Sequence, residues 1–174
     1  MKVLSSNTEK AAKLLYGTML VAILVLLVIC IFLIIIFVAG MINTEYVNKY
    51  IADPSLFFGG SLPEFFLMIF LYISDSVFWI LIMGICLRIS QTTIKNGSPF
   101  TAENTSRVCL IYRIYFLSIV VWYLGVVILL PFFGGVVGLH NLKLSKIAVL
   151  LVFYFVTCIF DKAKDLQIEN DETL

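Results

Sequence analysis

The sequence predicts an all-α integral membrane protein, an antiparallel four-helix bundle with both termini cytoplasmic. Three observations lead there. Of its 174 residues, 61% are hydrophobic and 13% charged, against roughly 45–50% and about 25% in soluble domains. The apolar residues collect into runs of the length needed to cross about 30 Å of hydrocarbon, roughly 20 residues at 1.5 Å each. Lysine and arginine partition unevenly between the segments that join those runs. The same arithmetic excludes a disordered chain, a collagen, a coiled coil and a disulfide-rich secreted scaffold. A formal net charge of +1 lends no support to direct nucleic-acid binding.

The whole chain, 1–174, reads as a single membrane domain. Its first span covers residues 14–42 and carries no charged residue. A basic start (Lys2, Lys10, Lys13) also suits a signal peptide, but a signal h-region is about 7–15 residues long, so this run is expected to be retained. The second span, about 63–87, is interrupted by one acid, Asp75. The third, about 108–133, has Arg113 near its start. The fourth, about 144–160, is the shortest, trimmed by Lys146. Uninterrupted apolar runs of this kind satisfy the backbone as helices, not as alternating barrel strands.

Orientation follows from the loops. The N-terminal segment, the 88–113 region and the 161–174 tail hold Lys2, Lys10, Lys13, Arg88, Lys95, Arg107, Arg113, Lys162 and Lys164. The opposite loops hold Lys49, Lys143 and Lys146. The richer side is expected to face the cytoplasm of a cell membrane. All four cysteines (Cys30, Cys86, Cys109, Cys158) fall inside the spans. Without CxxC spacing or a nearby histidine they read as buried thiols, not as a metal or redox cluster.

The outer loops carry weak signals. The aromatic residues of 43–62 (Tyr46, Tyr50, Phe57, Phe58) suit an interfacial belt. The glycine-rich 133–145 loop holds the one histidine, His140, which reads as a solvated residue. The cytoplasmic side is better marked. Asn96-Gly97-Ser98-Pro99 is a turn signal, and Phe100-Thr101-Ala102-Glu103-Asn104 reads as a helix start. Thr101 is the expected N-cap, and Glu103 with Arg107 forms an i,i+4 pair in the favourable orientation. The third helix should therefore begin about two turns before it enters lipid, and the fourth should overshoot through Leu166.

Asp75 is the costly residue. A central intramembrane Asp is unfavourable by roughly 2.5–3.5 kcal/mol on insertion scales, so it should face the interior with partners. Ser74, Ser76, Tyr123 and Tyr154 are possible donors. Arg113 is a less favourable partner. From the helical rise it lies about 8 Å above the cytoplasmic end of its span and Asp75 about 18 Å, and its side chain leans toward the cytoplasm. Asp75 is then either a structural polar clamp or a group that handles a proton or ligand. No catalytic, metal or cofactor constellation appears: there is no HExxH, GxSxG or P-loop pattern and no pair of intramembrane acids. A non-enzymatic protein is the expectation.

Two cytoplasmic stretches carry a resemblance. Gly97-Ser98-Pro99-Phe100-Thr101-Ala102-Glu103-Asn104 resembles the G-x-P-F-(S/T)-x-E-N stretch of a bacterial family of small four-span membrane proteins, domain of unknown function 2975. The tail, from Phe160 through Leu166, Glu169, Asp171 and Thr173 to Leu174, resembles that family's F…L-x-x-E-x-D-x-T-(V/L/I) ending, with a departure at Glu172, where an apolar residue is common. The resemblance implies a four-span fold without assigned chemistry. It also implies a genetic neighbour, a small helix-turn-helix transcription regulator that the cytoplasmic face would hold or release. The candidate functional residues are accordingly Pro99, Phe100, Glu103, Asn104, Glu169 and Asp171 on that face, with Asp75 and Arg113 in the membrane. The motif residues either meet a partner or staple the third helix start to the fourth helix end. A small transport, immunity or stress-related protein using Asp75 is the alternative.

Overall fold

The computed structural model describes residues 2–45, 47, 61–96, 98–132 and 143–172, all helical apart from short connecting pieces. Helix α1 is Lys2–Ile42 and α2 is Leu62–Asn96. Helix α3 begins at Ala102, runs regularly to Tyr123, widens to a π-helical segment at Leu124–Leu129 and ends with Leu130–Phe132. Helix α4 is Ser145–Glu172. The expected outer-loop features at Tyr46, Tyr50, Phe57, Phe58 and His140 lie outside the described residues.

By length and composition, α1 from Glu9, α2, and α3 through Phe132 are apolar enough to cross a membrane. The expected fourth span is not among them. In α4 the apolar run 147–160 is bounded by Lys146 on one side and by Asp161 and Lys162 on the other, leaving about 21 Å of helix. Apolar side chains all round α1 stay exposed, Leu14, Val21, Leu24, Val28 and Phe32 among them, as befits a helix whose solvent is lipid.

Substantial packing links consecutive helices, α1 to α2, α2 to α3, and α3 to α4. Aromatic edge-to-face pairs fix the antiparallel register. Phe37 meets Phe66 between α1 and α2, with ring centroids 5.2 Å apart. Tyr72 meets Trp122 at 5.4 Å and Trp79 meets Tyr115 at 5.6 Å between α2 and α3. Tyr115 also meets Phe153 of α4 at 5.0 Å. Such pairs contribute about 0.5–1.5 kcal/mol each beyond their burial. Two buried clusters lie between α2 and α3, one of Leu67, Met68, Leu71, Trp122, Val126 and Leu130. The other is built on Ile82, Ile111, Tyr115 and Ile119, and α4 covers it with Val149, Leu150 and Phe153.

The π segment has a local cause. Pro131 has no N–H, and its ring crowds the carbonyl four residues earlier. The preceding turn widens, and the Leu130 N–H donates to Gly125 O, five residues back. Widening brings the α3 backbone against α2 at Gly125, where a Cβ would sit 2.5 Å from Leu71 Cδ2. Leu71 is itself 2% exposed and has little room to yield. Gly84, by contrast, has nothing within 4 Å of its Cβ position. Thermal unfolding in detergent should separate the two: Gly125→Ala is expected to destabilise by about 1–3 kcal/mol through overpacking, and Gly84→Ala to stabilise by about 0.5–1 kcal/mol.

Candidate functional site

Asp75 lies in a cluster midway along the helices, and Pro99, Phe100, Glu103 and Asn104 lie in a second one at the end where α2 stops and α3 starts. The first is built around Asp75. Its partner is Lys146 in the first turn of α4, whose Nζ donates to Asp75 Oδ1. Both side chains are withdrawn, at 7% exposure for Lys146 and 18% for Asp75. Ser74, Ser76 and Arg113, expected from sequence as possible partners, do not take this role. The Ser74 and Ser76 hydroxyls donate to their own helix, to Phe70 O and Tyr72 O at 2.9 Å each. Arg113 is exposed and forms no ion pair among the described residues. Tyr154 is 52% exposed.

Helix register explains why Lys146 reaches a mid-span acid. Phe100 meets Phe160 at 5.2 Å near the start of α3, and Tyr115 meets Phe153 farther along. Counting back, the first turn of α4 arrives only at Trp122. That is about 15 Å short of the end of α3, taking the helical rise over residues 122–132. The short apolar run of α4 therefore lies deep, and Lys146 lands level with Asp75.

Aromatic rings wall this pair, and a second cation joins it. Lys143 Nζ lies 3.6 Å from the Trp122 ring centroid and 4.5 Å from that of Tyr72. Lys146 Nζ is 5.2 Å from Trp122 and 6.0 Å from Tyr115. Cation–π attraction of this kind is worth about 0.5–2 kcal/mol, more when desolvated. Lys143 adopts φ 40, a left-handed conformation unfavourable by about 1–3 kcal/mol for a side-chain-bearing residue. That turn starts α4: Lys146 N–H donates to Lys143 O at 2.8 Å and Ile147 N–H to Leu144 O at 3.1 Å.

The second cluster holds the motif residues. Thr101 caps α3 as expected, its Oγ1 accepting from Asn104 N at 3.2 Å. Asn104, fully buried, donates from Nδ2 to Pro99 O at 3.0 Å and accepts from Arg107 Nη1 at 3.0 Å. Ser98 Oγ accepts from Phe100 N at 3.3 Å. Arg107 ties these groups to α2. It donates to Arg88 O at 3.3 Å and to Thr92 Oγ1, and pairs with Glu103 in the expected i,i+4 geometry. One guanidinium, with five donors in a rigid fork, thus joins the last turns of α2 to the first turn of α3. Phe100 extends the joint to Phe160 of α4.

Helix α4 continues beyond Phe160, as expected, and reaches Glu172. Lys164 bridges Asp161 at 3.0 Å and Asp165 at 3.3 Å, and these hydrogen bonds hold its ammonium above the usual lysine range. Glu169 is exposed; the Asp171 side chain lies outside the described residues. The four cysteines are free, with Cys30 buried, Cys86 and Cys109 half-buried, and Cys158 exposed on the protein surface. Among the described residues no group of three His, Cys, Asp or Glu is placed to hold a metal ion. No family model, no curated protein and no solved structure matches the chain.

Sequence reasoning missed Lys143, Lys146 and Trp122. The signal was present in the length of the fourth apolar run: too short to cross alone, it places its flanking lysine inside the apolar zone. Removing one partner of the buried pair (Asp75→Asn or Lys146→Met) is expected to destabilise by about 3–5 kcal/mol, while Asp75→Leu with Lys146→Met recovers most of that loss. A double-mutant cycle in detergent unfolding measures the coupling. Asn104→Ala leaves Pro99 O without the Nδ2 donor and removes one of the three acceptors around Arg107 Nη1, and should cost about 1–3 kcal/mol in the same assay.

Proposed function

We propose that the protein is a non-enzymatic integral membrane protein that acts through its cytoplasmic face, holding or modulating a small helix-turn-helix transcription regulator. In this reading the chain is a four-helix antiparallel bundle of a bacterial cell membrane, with contacts following chain order and both termini in the cytoplasm. The excess of Lys and Arg at the 88–113 and tail segments supports that orientation. The similarity of the 97–104 loop and the tail to the small four-span family supplies the kind of partner.

The observation that carries the proposal is the protruding end of α4. Past the Phe100–Phe160 contact the helix continues for residues 161–172, about 18 Å at the helical rise, with Leu166 61% and Ile168 48% exposed. Acidic groups at 161, 165 and 169 share one face at i,i+4 spacing, and Leu166 and Ile168 lie on opposite sides of that row. An acidic row at i,i+4 spacing, with an exposed apolar side chain on either side of it, suits a basic protein. Pro99, Glu103 and Asn104 are engaged within the molecule, so they serve as the foundation and 161–172 as the docking element. The chain itself needs no contact with nucleic acid.

A second reading has its own observation. The buried Asp75–Lys146 pair is the kind of intramembrane charge that small transport, immunity or stress-related proteins use. The first reading is tested by truncating residues 161–174 and imaging a fluorescently tagged neighbouring regulator. The regulator is expected at the membrane with the full chain and dispersed after truncation. A regulator that stays dispersed in both strains would refute the proposal.

A further inference from the structure

Among the described residues, the charge balance around Asp75 is incomplete. Two ammoniums, Lys143 and Lys146, stand within 5.2 Å of the Trp122 ring, and the described ion pairs supply one carboxylate, Asp75, bound to Lys146. Lys143 makes none of those ion pairs and rests on the faces of Trp122 and Tyr72. An excess positive charge among apolar side chains is costly, by roughly 2.5–3.5 kcal/mol at mid-span on insertion scales.

Two further features point the same way. Lys146 lies in the first turn of α4, where the helix dipole adds positive potential. Lys143 holds its ammonium at this place from a left-handed backbone, φ 40, a conformation glycine or asparagine would adopt with less strain. Strain kept at a charged residue, facing a wall of aromatic rings, is a feature of ligand sites.

We infer that Lys143 and Lys146 together bind a monovalent anion beside Trp122, with Asp75 setting the charge of the site so that one negative charge, not two, completes it. A halide or a single carboxylate has the right chemistry. The inference narrows the second reading above to a class of ligand and rests on the same Asp75 cluster. Binding in the absence of any transport or resistance phenotype would remove that reading and leave the site standing.

Trp122 reports on the site directly. The chain has two tryptophans, so Trp79→Phe leaves Trp122 as the only indole. In nanodiscs of zwitterionic phosphatidylcholine, iodide is expected to quench Trp122 in a saturable manner that chloride reverses. Lys143→Arg should retain the saturable component and Lys143→Met should abolish it, with circular dichroism confirming helix content. A parallel titration with oleate separates a fatty-acid carboxylate from an inorganic ion as the source of the charge, by which one saturates and competes. Linear quenching by iodide in the Trp79→Phe protein, together with no saturable response to oleate, overturns the inference even if Lys143→Met fails to fold.

Discussion

An aspartate and a lysine buried against each other, far from either end of α2, set the conditions for the rest of this molecule. Removing two charges from water is unfavourable by several kcal/mol per ion, and mutual attraction offsets that only when geometry and neighbours are favourable. Asp75 and Lys146 meet this requirement because α4 begins part-way along α3 and brings its first turn to the level of Asp75. The aromatic wall follows from the same register: Tyr72 and Tyr115 lie on either side of the acid in their helices, and Trp122 faces both lysines. The close approach of α2 and α3 at Gly125 and the π segment that permits it keep Trp122 packed at this level. A buried pair of this kind specifies which helices meet and at what height more than it adds stability.

The other end of the molecule solves a different problem. A helix ends with unpaired carbonyls and starts with unpaired N–H groups, and here the end of α2 and the start of α3 are separated by only a short loop. Thr101 satisfies one donor at the start of α3, and Arg107 grips α2 two turns before its end, at Arg88 O and Thr92 Oγ1, with Asn104 buried beside it. The joint leaves the loop little freedom. The motif residues that looked most like a recognition sequence are therefore the ones most occupied with holding the helices, and the adjoining α4 extension presents the accessible surface. The described contacts of Pro99, Phe100, Asn104 and Arg107 fit the helix-staple reading of the motif.

Composition and run length made the helices legible without any structure, three of them long and apolar enough to cross a membrane. The cap at Thr101 and the Glu103–Arg107 pair were legible too, because both depend on residues within one turn of each other. The partner of Asp75 was not. It lies 71 positions away, and finding it requires the relative height of α3 and α4, which side-chain packing at Tyr115, Phe153, Phe100 and Phe160 determines. Periodicity carries no information about that height. Treating the fourth apolar run as a full span put Lys146 near an outer surface, and its short length was the cue that it belongs deeper. The π segment was obscured for a similar reason: Pro131 in the sequence shows where a helix is disturbed, not whether it kinks, ends or widens.

The central claim is that Lys146 and Asp75 touch within the apolar part of the fold, and it is open to a direct distance measurement. Solid-state nuclear magnetic resonance in lipid bilayers, with lysine side chains labelled in 15N and aspartate carboxyls in 13C, detects dipolar coupling between an ammonium nitrogen and a carboxyl carbon within about 4 Å, the reach of an ion pair. The account predicts a strong coupling that disappears in the Lys146→Met protein while the Lys164 couplings to Asp161 and Asp165 remain. Spectra of the unaltered protein and of Lys146→Met showing identical nitrogen–carbon coupling would contradict it.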